Sequence, residues 1–138
     1  MSVATTETSA GTRPAFSLRG TRVLIVEDSW IVAQSLKAIL ELIGAAVMGP
    51  AVSLDDAIAL ADSERFDVAI MDRDLQGRMT DVLIANLHER GLPVVIVTAY
   101  DVEPELAAKA AAVLPKPVKA ENLLACVRQV RAQSQTRH

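Results

Sequence analysis

The stretch Asp67-Val68-Ala69-Ile70-Met71-Asp72-Arg73-Asp74-Leu75-Gln76-Gly77 decides the fold, because an unbroken apolar run ends there in two carboxylates and a glycine. Apolar residues without polar alternation suit a strand covered on both faces, the environment of a parallel sheet with helices on each side. Asp72 then stands at the carboxyl end of that strand, where open α/β sheets place their ligand sites.

The same pattern recurs on either side. Upstream, Val23-Leu24-Ile25-Val26 runs straight into Glu27-Asp28-Ser29, a first strand with its own acidic loop. Ser29 can cap a helix whose apolar positions Val32, Leu36, Ile39, Leu40 and Ile43 recur at helical spacing before Gly44 ends it. Ala45 to Met48 is a short second strand closed by Gly49-Pro50, and Ser53 with Asp56 resembles a capping box for a second helix carrying Ala57, Ile58, Leu60 and Ala61.

Downstream, Thr80 is expected to cap a third helix with Val82, Leu83, Ile84, Ala85 and Leu87 on its apolar face, stopped by Gly91. Val94 to Val97 is a fourth strand, with Thr98 just past its end. Asp101 is expected to cap a short alanine-rich helix with Pro104 in its first turn. Val113-Leu114-Pro115-Lys116-Pro117 is a fifth strand, an edge strand because proline cannot donate to a ladder on both sides. A last helix carries Leu123, Leu124, Val127 and Val130. Strands alternating with helices through short connections predict an α/β fold, a doubly wound five-stranded parallel sheet with right-handed crossovers.

Composition narrows the classes. At 138 residues the chain is about one domain. Residues 1–19, rich in Ser, Thr, Ala and Gly, read as a flexible N-terminal arm in which Phe16 and Leu18 are the residues able to dock. Residues 20–133 form the domain and 134–138 a polar tail. The lone Cys126 has no partner for a disulfide or a thiolate metal site, and the N-terminus has neither the basic start nor the apolar core of a signal peptide. A cytoplasmic protein with no membrane association is the expectation. Net charge −3 with only four aromatic residues argues against direct nucleic-acid binding. His88, without a partner histidine, reads as a solvated side chain.

Five side chains converge at the strand ends of such a sheet: Glu27 and Asp28 after the first strand, Asp72 after the third, Thr98 after the fourth and Lys116 after the fifth. If the first and third strands are neighbours, three carboxylates crowd together, and their repulsion is relieved by protonation or by a cation. Three oxygen ligands with room for water suit Mg²⁺. A carboxylate beside such an ion can attack phosphorus to form an acyl phosphate, with the Thr98 hydroxyl and the Lys116 ammonium able to hold phosphoryl oxygens. Singly, each residue has an ordinary reading as a cap, a loop hydroxyl or a solvated charge. The conjunction in chain order is what is specific.

That conjunction resembles the receiver domain of two-component response regulators, over residues 22 to about 132. The matching pieces are Val23 through Asp28, Val68 through Asp72 with Leu75 and Gly77, Val97-Thr98-Ala99 and Leu114-Pro115-Lys116-Pro117. The resemblance implies a flavodoxin-like (βα)5 sheet in strand order 2-1-3-4-5, with Asp72 the phosphoacceptor. It implies that Glu27, Asp28, Asp72 and the backbone carbonyl of Asp74 hold Mg²⁺, that Thr98 and Lys116 are the switch hydroxyl and the phosphoryl-binding lysine, and that the Lys116-Pro117 peptide is cis. It further implies a phosphoacceptor signalling protein rather than a turnover enzyme. Its expected donor is a sensor histidine kinase or histidine phosphotransfer protein, and its output is an altered contact with a downstream protein. With few residues after the last helix, a stand-alone receiver is expected, and dimerisation through the last two helices is compatible with it. A phosphate sink or a relay would use the same site.

The departures from the family pattern are local. Gln76 stands where proline is common and Thr80 where a glycine is, so the loop after Asp72 is expected to take its own path. The position three before the lysine, normally aromatic, is Val113. Tyr100 is a candidate for that aromatic's role, since Thr98-Ala99-Tyr100 is similar to the Thr-Gly-Tyr motif of an atypical receiver subgroup; the plain alternative is a tyrosine packed on the fourth helix or exposed. The segment from Thr98 to Lys116 is short, so its helix should be short or irregular. Arg73 is expected to point outward to a kinase. Two other readings fit the same residues. Asp72-Arg73-Asp74 resembles the Asp-x-Asp motif of haloacid dehalogenase-type phosphohydrolases, although that motif belongs on a first strand, and a degenerate receiver used as a fixed docking module would also fit Val113, Gln76 and Thr80.

Overall fold

The computed structural model describes the backbone of residues 17–136 and the side chains of residues 17–133. Of the arm expected over residues 1–19, residues 1–16 lie outside the described residues, as do the docking of Phe16 and the side chains of the polar tail. Among the described residues, seven strands and five helices follow one another as β1 (Arg22–Val26), α1 (Trp30–Leu42), β2 (Ala46–Ala51), α2 (Leu54–Ser63), β3 (Val68–Asp72), β4 (Asp74–Leu75), β5 (Arg78–Met79), α3 (Asp81–Glu89), β6 (Val94–Thr98), α4 (Pro104–Ala107), β7 (Ala112–Pro115) and α5 (Ala120–Thr136). The five long strands form one parallel sheet in the order β2-β1-β3-β6-β7, the expected 2-1-3-4-5 order once the two-residue strands β4 and β5 are set aside as their own antiparallel pair.

The uninterrupted apolar runs are explained by helices on both faces. In β3, Ala69 and Met71 join a core with Ala57 and Ala61 of α2, Leu83, Ile84 and Leu87 of α3 and Leu106 of α4. Val68 and Ile70 point to the opposite core, with Ala33, Leu36 and Leu40 of α1 and Leu123, Val127 and Val130 of α5. Successive side chains still alternate between faces, but both faces are apolar, so the period of two is invisible in the sequence. Every residue of β3 and β6 is buried. The core also takes in Leu18, 3% exposed, whose backbone N–H donates to Ile43 O at 2.8 Å.

Several local expectations are corrected. The second strand does not close at Gly49-Pro50: it runs on to Ala51, with a register shift against β1 between Leu24 and Val26. Gly49 makes this possible, at φ +97° and so close to its neighbour that a Cβ would sit 2.7 Å from Ile25 O. The extension matters to function, because Ala51 O accepts the Glu27 N–H at 2.9 Å and so holds the first acidic residue in line. Pro50 and Pro115 both lie in edge strands, where a missing ladder donor is tolerated.

Ser29 and Ser53 cap α1 and α2 through the N–H groups of Val32 and Asp56. Thr80 does not cap α3 with its side chain, and Asp101 does not begin α4: the residue preceding that helix is Glu103. Val82 is 78% exposed rather than part of the α3 core face, because Leu83, Ile84 and Leu87 already fill it. As expected, α4 is short, at four residues.

Candidate functional site

Four parallel strands end at the same edge of the sheet, and each delivers one element of the site. Glu27 follows β1 and is 1% exposed; Asp72 is the last residue of β3 and 8% exposed; Thr98 is the last of β6 and 7% exposed. Lys116 follows β7, its backbone N–H bonded to Thr98 O, and the Lys116-Pro117 peptide is cis. Because β1 and β3 are direct neighbours, carboxylate oxygens of Glu27, Asp28 and Asp72 come within 4.8 Å of one another.

Lys116 Nζ reaches into this cluster, 2.8 Å from Asp72 Oδ2 and 3.3 Å from Glu27 Oε1. Three of the four other oxygens are held by backbone donors: Asp74 N–H to Asp72 Oδ1 at 3.1 Å, Ser29 N–H to Glu27 Oε2 at 3.1 Å and Gln76 N–H to Asp28 Oδ2 at 2.9 Å. Burial pushes the Glu27 carboxyl above its ordinary range and the Asp72 charge pushes the same way, against the Ser29 N–H and Lys116. Burial alone would lower the Lys116 ammonium, but its hydrogen bond to Asp72 and the charge of Glu27 outweigh that, and it is held above its usual value. One ammonium thus serves a cluster of three acidic groups and touches two of them, Asp72 and Glu27.

Glu27 Oε1 is buried, and although Lys116 Nζ is near, no hydrogen bond of good geometry reaches it. A buried carboxylate oxygen left in this way calls for a cation, and an all-oxygen donor set is what a hard divalent ion takes. Asp28, Asp72, Asp74, Thr98, Tyr100 and Lys116 are among the residues lining an open cleft of about 270 Å³ above the cluster. A somewhat larger cavity, about 310 Å³, lies beside His88, Lys109 and Gln133 and includes none of these acidic residues. His88 is solvent-exposed, as expected.

The loop after Asp72 takes its own path. Gln76 and Gly77 have φ of +55° and +88°, the pair of positive values that a tight hairpin turn of type I′ demands, and β4 and β5 pair across them. Proline, locked near φ −65°, has no access to the Gln76 conformation, which accounts for its absence. Asp74 turns its carboxylate into this turn, accepting the Gly77 N–H at 2.8 Å. The wholly buried Thr80 hydroxyl donates to Asp72 O at 2.9 Å and Arg73 O at 3.1 Å, fastening the end of β3.

Arg73 does not point outward. Its side chain is 13% exposed and gripped between Asp81 and Glu103. Sequence reasoning missed this because Glu103 lies thirty residues away, at no spacing that marks a pair. Thr98 Oγ1 accepts the Tyr100 N–H at 3.1 Å, while the Tyr100 ring is 83% exposed rather than packed on α4. Val113, at the family's aromatic position, is 38% exposed.

The family model of the response regulator receiver domain matches residues 23–128. A CheY-like receiver domain structure from Methanospirillum hungatei JF-1 covers 84% of this chain and 98% of its own, at 27% identity and TM-score 0.74. The signal receiver domain of a modulated diguanylate cyclase from Desulfovibrio desulfuricans G20 covers 85% and 98%, also at 27% identity and TM-score 0.74. A receiver domain from Clostridium thermocellum, 19% identical with TM-score 0.76 over 86% and 99%, agrees in fold. No curated protein matches the sequence. With the match spanning nearly the whole described sheet and every strand end that builds the acidic cleft, the chain belongs to the response regulator receiver domain family.

Proposed function

We propose that Asp72 is a phosphoacceptor, taking a phosphoryl group from the phosphohistidine of a sensor histidine kinase or a histidine phosphotransfer protein. The observation that carries this reading is the position of the Asp72 carboxylate at a strand end, between a lysine ammonium at 2.8 Å and an acidic pair. A carboxylate oxygen attacks phosphorus, the P–N bond to the donor imidazole breaks, and the imidazole leaves with its electron pair to take up a proton. Lys116 then exchanges its Asp72 contact for a phosphoryl oxygen, and the Thr98 hydroxyl donates to another.

Mg²⁺ fits the donor set, held by Glu27, Asp28, Asp72 and the Asp74 backbone carbonyl. When bound, it neutralises charge on the transferring oxygens. The carboxylate of Asp74, committed to the Gly77 N–H, is a neighbour of the phosphoryl group rather than a ligand. The output is a change in protein contacts, with Tyr100 as the aromatic that answers Thr98 in place of Val113: its N–H is already bonded to the Thr98 hydroxyl that the phosphoryl group would claim. Among the described residues no helix is long and apolar enough to cross a membrane.

The test is incubation with acetyl phosphate and Mg²⁺ followed by intact-mass measurement. The wild-type chain should gain one phosphoryl group, removable by hydroxylamine, and Asp72→Asn should gain none. Omitting Mg²⁺ should suppress the reaction. A wild-type chain that gains no mass, or an Asp72→Asn chain that gains it equally, would overturn the assignment.

A further inference from the structure

The Arg73 guanidinium uses both of its edges. Nε and Nη2 lie 3.2 Å from Asp81 Oδ1 and Oδ2, while Nη1 and Nη2 lie 2.6 and 2.7 Å from Glu103 Oε1 and Oε2. Paired fork geometry of this kind fixes direction as well as distance, which a lysine in the same place would not do. Exposed ion pairs ordinarily do little, but this guanidinium is largely covered and doubly bound. The grip draws the Glu103 carboxyl down to about 2, through its hydrogen bonds to Arg73.

The two carboxylates sit on different elements. Asp81 opens α3, and Glu103 immediately precedes α4, where its backbone oxygen accepts the N–H groups of Leu106 and Ala107. With a single turn and Leu106 as its one buried residue, α4 has few other attachments. At the other end of the fork, Arg73 follows Asp72 directly, and its carbonyl is tied down by both the N–H and the hydroxyl of Thr80. The segment from Ala99 to Val102 is therefore bracketed, by Thr98 inside the cleft at one end and by Glu103 in the grip of Arg73 at the other.

We propose that Arg73 is a positioning residue that ties the backbone beside Asp72 to the start of α4, and that the state of Asp72 is read at α4 through the Arg73–Glu103 fork. The proposal rests on the reading of Asp72 as phosphoacceptor. A phosphoryl group there replaces the single carboxylate charge of Asp72 by about two on the phosphoryl oxygens, a net gain of about one negative charge one residue from Arg73, and claims Thr98, so a single event acts on both ends of the bracketed segment. No aromatic stands at position 113 to carry that message along β7.

The test uses the full chain and Glu103→Gln, which keeps the size of the side chain and removes its charge, with Arg73→Met as a second variant. Hydrogen exchange is followed at the amides of Leu106, Ala107 and Ala108, with Mg²⁺ alone and with Mg²⁺ and acetyl phosphate, while intact mass reports modification of Asp72. Without the phosphoryl donor, Glu103→Gln and Arg73→Met should each speed exchange at these amides, and the double variant should do no more than either alone. With the donor, Glu103→Gln should take up as much phosphoryl group as wild type but lose the accompanying change at α4. Unaltered exchange in Glu103→Gln without donor, or an undiminished phosphorylation-dependent change in it, would overturn the proposal. Failure of the wild-type chain to gain mass would instead overturn the reading of Asp72, a result visible in the mass measurement alone.

Discussion

Replacing Thr80 by valine removes one hydroxyl from a position with no solvent exposure and leaves the shape almost unchanged. The Thr80 hydroxyl is shared between Asp72 O at 2.9 Å and Arg73 O at 3.1 Å, and Arg73 O keeps the Thr80 N–H at 2.8 Å. Asp72 O is therefore the acceptor that loses its side-chain donor. Losing a buried hydrogen bond and leaving its acceptor short of a partner costs about 2 kcal/mol, and the near-isosteric swap adds no cavity. In a domain of this size that corresponds to a fall in Tm of roughly 8 °C. Thr80→Ser makes the converse change, keeping the hydroxyl and losing a buried methyl worth about 1 kcal/mol. The two variants should therefore rank valine below serine in thermal and urea unfolding. Because the bond holds the backbone of Asp72, the proposed phosphoacceptor, phosphoryl uptake from acetyl phosphate should also slow more in Thr80→Val than in Thr80→Ser. A valine variant as stable as wild type, with serine the weaker of the two, would show that Thr80 acts by packing and that its hydroxyl does not fasten the end of β3.

Two further outcomes follow from the same geometry. Lys116→Met takes away the one ammonium facing Glu27, whose carboxyl is already raised by burial and by the charge of Asp72, so it should rise further. A carboxyl raised on folding gives stability that is present below its unfolded value, near the 4.5 of a free glutamate, and lost as pH rises through the folded value. The variant should thus be penalised more at pH 7 than at pH 4, as urea unfolding at the two values will report; an equal penalty at both would refute the role given to Lys116. Gly77→Ala meets nothing within 4 Å and carries only the strain of φ +88°, about 1 kcal/mol, whereas Gly49→Ala also drives a Cβ to 2.7 Å from Ile25 O and should cost about 3 kcal/mol or more. Thermal melts of the two variants check the order, and equal losses would contradict the close approach at Gly49.

Much of the architecture was legible because it is written in local pattern. Four apolar runs ending in polar residues, separated by stretches with helical spacing, specify alternating strands and helices, and Ser29 and Ser53 announce their helices by short-range capping chemistry. The convergence of Glu27, Asp28, Asp72, Thr98 and Lys116 then follows from parallel topology, because every strand in such a sheet delivers its carboxyl end to the same edge. Residues with two available roles were not decided in this way. Thr80 and Asp101 have the composition of helix caps, yet the Thr80 hydroxyl turned to the carbonyls of β3 and Asp101 stayed in the loop. Propensity ranks the choices open to a side chain, and tertiary neighbours select among them.

By itself, the amino-acid sequence determined the strand and helix order, the covered character of the central strands and the set of polar side chains at their ends, since each depends on residues close together in the chain. Only the tertiary structure decided that β2 continues past Gly49 to hold Glu27, that Gln76 and Gly77 turn a hairpin, and that Arg73 is gripped by Glu103 rather than offered to solvent. These last features depend on groups brought together across the sheet edge from distant parts of the chain, at distances for which sequence spacing carries no signal.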